Sequence, residues 1–245
     1  MRIKVINPDY GMSPELLRER ERMLSQVARP DTFISMDCIT ETKVSIDSAV
    51  DVVFSGAEVV KLAIQAEAEG FNAVILYCLS DPALAACRES VRIPVIGAGQ
   101  VSMLLAASLG YRFSILTISE QRIPEKEESV RYSGVDLTRL ASIRSVDIPG
   151  DDPRKDIPAT IQKLIEAGSL CKEKDRAHVL ILGCLSFAGM GPEVANSTGL
   201  PVIDPAFASV NMAELLHSQQ LSHSRAAYPP PPLRERSWGN GQIVI

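Results

Sequence analysis

Short apolar runs rich in β-branched residues alternate along this chain with longer segments whose apolar residues recur at helical spacing. This alternation is typical of a mainly parallel sheet that is covered by helices on both faces. It therefore predicts an α/β fold. The predicted strands are residues 3–6, 32–36, 73–77, 95–97, 112–117, 142–146, 179–182 and 202–203.

Two of these strand ends carry nearly the same sequence. Residues 74–80 and 180–186 are identical at five of seven positions, and the matches include Cys78 with Cys184 and Ser80 with Ser186. Such weak self-similarity is typical of gene duplication. We therefore predict two similar α/β lobes related by pseudo-twofold symmetry. The first comprises residues 1–105, joined by the C-terminal segment 208–245, and the second comprises residues 106–207.

Each repeated segment places a cysteine at the carboxyl end of a strand. Ligands of open α/β sheets bind outside this edge, so Cys78 and Cys184 are in the expected position for a site. Two lobes that face each other would put both thiols across one cleft. We predict that the active site lies in that cleft.

Composition excludes several classes of protein. The chain has 245 residues, close to half of them apolar, with a formal charge of −5 and no basic stripe for nucleic-acid phosphates. The sequence shows neither a signal peptide nor an apolar run of membrane-spanning length, so we expect a cytoplasmic protein with no membrane partner. Its five widely spaced cysteines do not resemble a disulfide scaffold, and free thiols are expected.

Two opposed thiols permit one particular reaction. To invert a stereocentre by proton transfer, a proton must leave one face of a carbon and another must arrive at the opposite face. A thiol suits this role because its reference pKa of about 8.5 is easily lowered near a helix N-terminus. The pair Cys78 and Cys184 is therefore predicted to be catalytic, without a metal or an organic cofactor.

A free cysteine taken alone is more often a small buried hydrophobe than a catalyst. We interpret Cys38, Cys87 and Cys171 in that way. Polar residues near the pair, Ser80, Asp81 and Ser186, are candidates to hold a carbonyl or carboxylate of the substrate, although Asp81 followed by proline more strongly indicates a helix cap.

Other sequence features give weaker signals. The segment from Gly97 to Gly99 is too short for a phosphate-binding motif, so we expect Gly97 to allow close packing or backbone contact with a small ligand. The three histidines, His178, His217 and His223, have no metal-ligand spacing and are expected on the surface or on helices. The tail from His223 contains a polyproline segment, 228–232, and a turn-rich end, 238–241, and is expected to add no core.

The cysteine segments and several flanking segments resemble the aspartate/glutamate racemase superfamily, and within it the hydantoin and allantoin racemases. The resemblance covers most of the chain and is most specific around the two cysteines. It rests on residues 5–8, 78–89, 94–100, 182–184, 189–190 and 201–205.

The resemblance implies a two-lobed α/β fold, proton transfer by Cys78 and Cys184, and hydantoins, allantoin or related amino-acid derivatives as substrates. It also implies a homo-oligomer. By the same resemblance, Asn7 contacts the substrate, and backbone amides after each cysteine, including that of Leu185, stabilise an enolate-like oxygen.

The chain departs from the family pattern at three places. Asp9 and Tyr10 replace the usual Asn-Thr after Asn7-Pro8, and Gln100 replaces a common glutamate. Asp9 is expected to disfavour an anionic substrate. Phe187 is bulky, and we expect it to line an apolar site for a hydrophobic substituent.

Alternative functions remain open at this point. The same scaffold supports cis-trans isomerases of the maleate type and decarboxylases of the arylmalonate type, although retention of both cysteines favours racemisation over a single-thiol decarboxylase. A thiol redox or sensor protein is a rival from a different class, but the chain lacks a Cys-x-x-Cys pair. A small-molecule binding protein without catalysis is a third.

Overall fold

The structure, a computed structural model, describes residues 1–148, 152–238 and 241–244. It divides into two compact units, unit 1 being Met1–Gly97 with Ser209–Ile245 and unit 2 being Ala98–Ala208. Each unit contains one four-stranded sheet in which all strand pairs are parallel. The predicted α/β class with two mainly parallel sheets is confirmed.

Unit 1 has the sheet order β2-β1-β3-β4. Its elements are β1 (Arg2–Tyr10), α1 (Pro14–Ser25), β2 (Phe33–Ile39), α2 (Ala49–Ala68), β3 (Ala73–Leu76), α3 (Leu84–Ser90) and β4 (Val95–Gly97).

Unit 2 repeats this topology with the order β6-β5-β7-β8. Its elements are α4 (Ala98–Leu109), β5 (Phe113–Thr117), α5 (Ile123–Tyr132), β6 (Leu140–Ser145), α6 (Ile157–Glu173), β7 (Val179–Leu182), α7 (Gly191–Thr198) and β8 (Val202–Ile203). The chain continues through α8 (Pro205–Ser218) and ends in β9 (Glu235–Trp238) and β10 (Gly241–Val244).

The central strands are buried along their whole length, which explains their continuous apolar sequences. All four residues of β3 and all four of β7 are buried, as are all five residues of β5. Helix α2 packs against the unit 1 core through Val59 and Ala63, and helix α6 packs against the unit 2 core through Leu164 and Cys171.

The helix ends follow from local sequence signals. The Ser48 side chain accepts from Asp51 N at the start of α2, and the Asp156 side chain accepts from Ala159 N at the start of α6. Gly70 has φ +76° just after α2, the left-handed conformation that closes a helix.

All eight predicted strands are present. Three have the predicted bounds, whereas β1 runs four residues further than expected, to Tyr10. The extension passes through Pro8 because the β1–β2 register shifts between Asn7 and Tyr10, so the missing N–H of Pro8 falls in the irregular part of the pairing.

The tail differs from the expectation. Residues 235–238 and 241–244 pair as an antiparallel hairpin, β9–β10, which no sequence pattern predicts. Residues 239 and 240 of the predicted turn lie outside the described residues. Earlier in the tail, Arg225 donates to the carbonyls of Arg88, Glu89 and Val91 at the end of α3. The segment around His223 therefore packs on unit 1. Among the described residues, no helix combines the length and apolar character needed to cross a bilayer.

Candidate active site

Cys78 lies just beyond the carboxyl end of β3. Tyr77 N donates to Ile6 O of β1 at 2.8 Å, so hydrogen bonding of the sheet type continues up to the residue before the thiol. The Cys78 carbonyl accepts from Asp81 N at 3.1 Å, which closes a turn. Cys78 is half-buried.

Cys184 occupies the corresponding place in unit 2. Gly183 N donates to Leu116 O of β5 at 2.7 Å, and the Cys184 carbonyl accepts from Phe187 N at 3.0 Å. In addition, the sulfur of Cys184 accepts from Ser186 N at 3.4 Å. In each unit the cysteine thus follows the third sequential strand and opens a turn closed by the residue three positions ahead.

The burial of the five thiols separates this pair from the others. Cys78 and Cys184 are half-buried, whereas Cys38, Cys87 and Cys171 are buried. Burial raises the pKa of the Cys87 thiol to about 12, and burial also raises the pKa of Cys171. These two buried thiols stay protonated at neutral pH, in agreement with their interpretation as structural residues.

Asn7 lies beside the Cys78 turn with an unused donor. It follows Ile6 in β1 and is only 2 % exposed, yet its side-chain Nδ2 has no hydrogen-bond partner among the described residues. A buried amide donor without a protein partner costs free energy, so this donor is available to a bound molecule. The equivalent strand end in unit 2 carries Thr117, which is 1 % exposed.

The expectation that Asp81 caps a helix is wrong. Helix α3 begins at Leu84, its N-cap is Ala83, and no side chain accepts a hydrogen bond there. Asp81 has φ +47° and Ala83 has φ +57°, both in the left-handed region that non-glycine residues seldom adopt. The chain therefore turns twice before the helix starts.

Gly97 lies directly beneath the Asp81 carboxyl group. A β-carbon at Gly97 would be 2.7 Å from both Cγ and Oδ2 of Asp81. Because Gly97 has no side chain, the Asp81 carboxyl group packs directly against its backbone. The structure thus brings together these two residues of the predicted site.

The turn after Cys184 is apolar on its inner side. Leu185 is 3 % exposed, and Phe187 is fully buried in the unit 2 core, where it packs with Met190 and Val194. The Phe187 ring therefore anchors the turn to the core. Between these two buried residues, Ser186 is half-buried.

Three residues near the two turns were not identified from the sequence. Thr117 is the unit 2 counterpart of Asn7, and aligning the first strand of each half would have revealed it. Arg154 donates to the carbonyl of Ala188, and Asp204 accepts from Gly189 N. No spacing in the sequence links Arg154 or Asp204 to the Cys184 turn.

The carboxylate of Asp9 binds a backbone amide of its own unit. One of its carboxylate oxygens accepts from Ile46 N at 2.7 Å, so it fixes the loop that follows β2.

No histidine belongs to either turn. His178 and His217 are exposed, whereas His223 is half-buried and hydrogen-bonds to Val95, which corrects the expectation of a surface or helix position for His223. Within the described ranges, no cluster of three or more His, Cys, Asp or Glu side chains is able to hold a metal.

Sequence comparison identifies relatives over nearly the whole chain. The family model described as Asp/Glu/hydantoin racemase matches residues 3–213. A hydantoin racemase of Rhizobium meliloti is 30% identical over 232 residues, which cover 94% of this chain and 95% of the relative. A hydantoin racemase of Pseudomonas sp. strain NS671 is 32% identical over 216 residues, which cover 88% and 86%.

Solved structures share the fold. Allantoin racemase from Klebsiella pneumoniae superimposes with a TM-score of 0.88 at 25% identity, covering 97% of this chain and 96% of that protein. Arylmalonate decarboxylase has a TM-score of 0.63 at 19% identity, covering 88% and 92%. The latter likeness concerns the fold alone.

Proposed function

The chain belongs to the Asp/Glu/hydantoin racemase family, and we propose that it is a cofactor-independent racemase in which Cys78 and Cys184 are the two acid/base groups. One observation carries this proposal. Of the five thiols, the two that are half-buried are the two that open matching turns at the carboxyl ends of β3 and β7.

The reaction is a proton exchange at a carbon next to a carbonyl group. One cysteine, as thiolate, removes the proton from one face and leaves an enolate-like anion. The other cysteine, as thiol, delivers a proton to the opposite face. The two thiols exchange roles for the opposite enantiomer. Proton transfer from either enantiomer therefore requires neither an oxidant nor a metal.

The negative charge that develops on the carbonyl oxygen needs hydrogen-bond donors. We assign this role to backbone amides of the two turns, including that of Leu185, and to the side chains of Ser80 and Ser186. Asn7 is a further donor, since its buried Nδ2 has no hydrogen-bond partner in the part of the chain that the structure describes. Asp81 and Gly97 shape the Cys78 turn, as their close packing indicates.

For the substrate, we propose a hydantoin or a related cyclic amino-acid derivative. Two relatives that cover most of this chain are hydantoin racemases. A racemisation assay with both enantiomers of 5-benzylhydantoin, allantoin and aspartate tests this assignment. Turnover of aspartate alone would overturn it.

The mechanism is tested by replacing each thiol separately. In Cys78→Ser and in Cys184→Ser we expect racemisation to be lost, while exchange of the substrate proton for solvent deuterium persists from one enantiomer only. The enantiomer that still exchanges its proton should differ between the two variants. Cys171→Ser is the matched control, because its buried thiol already takes part in a hydrogen bond with Ser142. If both test variants racemise at the control rate, the two-thiol mechanism is wrong.

A decarboxylase is the second candidate, because arylmalonate decarboxylase has the same scaffold. Mass spectrometry distinguishes the two activities. A decarboxylase removes carbon dioxide from an arylmalonate, whereas the product of a racemase has the mass of its substrate.

The homo-oligomer and the cytoplasmic location stay predictions. Sedimentation velocity at several protein concentrations measures the first, and cell fractionation the second.

A further inference from the structure

The turn that carries Cys184 is held by two charged side chains from other parts of unit 2. Arg154 is half-buried, and its Nη1 donates to the carbonyls of Ser186 at 3.4 Å and Ala188 at 3.0 Å. Asp204 is 9 % exposed, and its Oδ2 accepts from Gly189 N at 2.7 Å. Two peptide groups after the thiol, 186–187 and 188–189, are therefore bound from outside the turn.

Both holding residues are themselves fixed. Arg154 N donates to Asp152 Oδ1 at 3.0 Å, and the preceding carbonyl, of Pro153, accepts from the buried hydroxyl of Thr160 on α6 at 2.8 Å. Asp204 precedes α8, and its second oxygen, Oδ1, accepts from Ala206 N at 3.0 Å. The donor and the acceptor are thus anchored at the starts of two helices.

The contact of Arg154 reaches the thiol through one residue, Ser186. The N–H of Ser186 donates to the Cys184 sulfur at 3.4 Å, and the carbonyl of the same residue accepts from Arg154. The two hydrogen bonds define the orientation of the Ser186 backbone. A donor directed at sulfur favours the thiolate over the thiol, so a change in this orientation changes the reactivity of Cys184.

Asp204 is a buried carboxyl group whose hydrogen-bond partners are the backbone amides of Gly189, Ala206 and Phe207. Burial raises its pKa, while the N–H groups of Gly189, Phe207 and Ala206 and the charge of Arg154 act in the opposite direction. The amide donors and the nearby guanidinium therefore favour the ionised carboxylate, against the effect of burial.

We propose that Arg154 and Asp204 are positioning residues for Cys184, and that they govern proton transfer at only one face of the substrate. This inference rests on the proposed two-thiol racemase. Neither residue touches the reacting carbon. The effect of Arg154 passes through the Ser186 backbone to a single sulfur, and Asp204 holds the same turn further along, at Gly189 N.

The first test compares the rates of solvent deuterium exchange from the two substrate enantiomers in Arg154→Gln. Loss of a hydrogen bond from a charged donor predicts a decrease of about 10-fold or more in exchange from the enantiomer deprotonated by Cys184. Exchange from the opposite enantiomer, which Cys78 deprotonates, should change less than about twofold. Arg154→Lys, which keeps the charge and a donor, should restore most of the lost rate.

Arg144→Gln is the matched control. Arg144 forms a bidentate pair with Asp175, at 2.6 Å and 2.8 Å, and within the described part of the chain it makes no hydrogen bond or ion pair with the Cys184 turn. Loss of this arginine should change both enantiomers equally. Equal losses for both hands in Arg154→Gln, or no loss at all, would overturn the proposal.

The second test does not require racemase activity. Iodoacetamide alkylation at fixed pH, followed by mass spectrometry of the Cys78 and Cys184 peptides, measures each thiol separately. In Arg154→Gln and in Asp204→Asn we expect slower alkylation of Cys184 and an unchanged rate at Cys78. Any result in which Cys184 is not slowed relative to Cys78 contradicts the positioning role, whereas absence of racemisation in the wild type contradicts only the proposed function.

Circular dichroism melting identifies variants that fail to fold. If Arg154→Gln does not fold, the ratio of the Cys184 to the Cys78 alkylation rate is measured in Arg154→Lys and Asp204→Asn. That ratio then tests the positioning role.

Discussion

The clearest residue-scale evidence for a binding site is the side chain of Asn7. Its Nδ2 is buried and has no partner among the described residues, so the folded protein retains the cost of desolvating that amide. Removal of the amide should therefore not weaken folding. Binding of a carbonyl oxygen would supply the missing partner.

Asn7→Leu tests this role because it keeps the approximate shape and removes the donor. We expect an unchanged or raised melting temperature, since an unpaired buried polar group is lost. We also expect kcat/KM for racemisation to fall by about 100-fold, the usual effect of losing one donor to a developing oxyanion. Thermal unfolding and steady-state kinetics measure the two effects.

Asn72→Leu is the control. The Asn72 Oδ1 accepts from Arg2 N at 2.8 Å, so this substitution should lower stability without changing kcat/KM. A melting temperature that falls in Asn7→Leu as much as in the control contradicts the interpretation of Asn7.

The thiols provide a second residue-scale prediction. Native protein treated with iodoacetamide near neutral pH should be alkylated at Cys78 and Cys184, whereas Cys38, Cys87 and Cys171 should react only after denaturation. The physical reasons are burial of the latter three and, for Cys87, a pKa of about 12. Peptide mass spectrometry gives the site of each adduct, and early modification of Cys87 would contradict the prediction.

The two catalytic candidates were predictable at this scale because a repeated sequence marked them. Asp81 was misinterpreted because Asp-Pro is a common helix start, whereas the left-handed conformations of Asp81 and Ala83 depend on packing against Gly97 and Gly56. Arg154 and Asp204 were missed because their contacts with the Cys184 turn join segments that are distant in sequence.

Among the elements, the strands were the most predictable. Their buried apolar sequences allow few alternatives, and all eight were found. The β9–β10 hairpin was not predicted, because Glu235 and Arg236 interrupt any apolar alternation in its first strand. The exact end of β1 was not predictable either, since the passage of Pro8 depends on a register shift with β2.

The pairing of β7 with β5 depends on Gly183. A β-carbon there would be 2.4 Å from Leu116 O and 2.9 Å from Ile115 Cγ2, distances that require the strand backbones to separate. We expect Gly183→Ala to lower the free energy of unfolding by about 1–3 kcal/mol and to reduce racemisation, because Cys184 is the next residue. Chemical denaturation and kinetics measure both effects.

Gly191→Ala is the matched control for this prediction. A β-carbon at Gly191 would be 3.7 Å from the nearest atom, Val202 Cγ1, which is an ordinary contact distance. This variant should retain both stability and activity. Equal stability of the two alanine variants would show that the close approach of Gly183 is not a constraint.

At the scale of the whole molecule, the sequence predicted two α/β halves, the first joined by the C-terminal segment, but not the individual contacts of the tail. In the tail, His223 Nε2 lies 2.9 Å from both the N and the O of Val95, and its ring packs edge-on against Tyr228. Arg88, buried on α3, donates to the hydroxyl of Tyr228 at 3.1 Å. The contacts of His223 with Val95 and of Arg88 with Tyr228 join residues more than a hundred positions apart, which no local pattern reveals.

The tail should make the stability of the protein sensitive to mild acid. Burial, together with the charge of Arg88, lowers the pKa of His223 to about 4, whereas an unfolded histidine has a pKa of about 6.5. Between these values the unfolded chain binds a proton that the folded protein does not. The free energy of unfolding must therefore decrease as the pH falls from about 6.5 towards 4, and this contribution is fully present only above about 6.5.

His223→Gln removes the titrating group and should weaken this dependence. At pH 5 the wild type is expected to have lost about 1 kcal/mol through His223, a value that allows for solvent screening of a half-exposed ring. The variant should be less stable than the wild type at pH 7 but should lose less stability between pH 7 and pH 5. His217→Gln, at an exposed position on α8, should leave the pH dependence unchanged. Urea unfolding at several pH values measures these slopes, and equal slopes for His223→Gln and the wild type would show that the His223 contact does not couple the tail to unit 1.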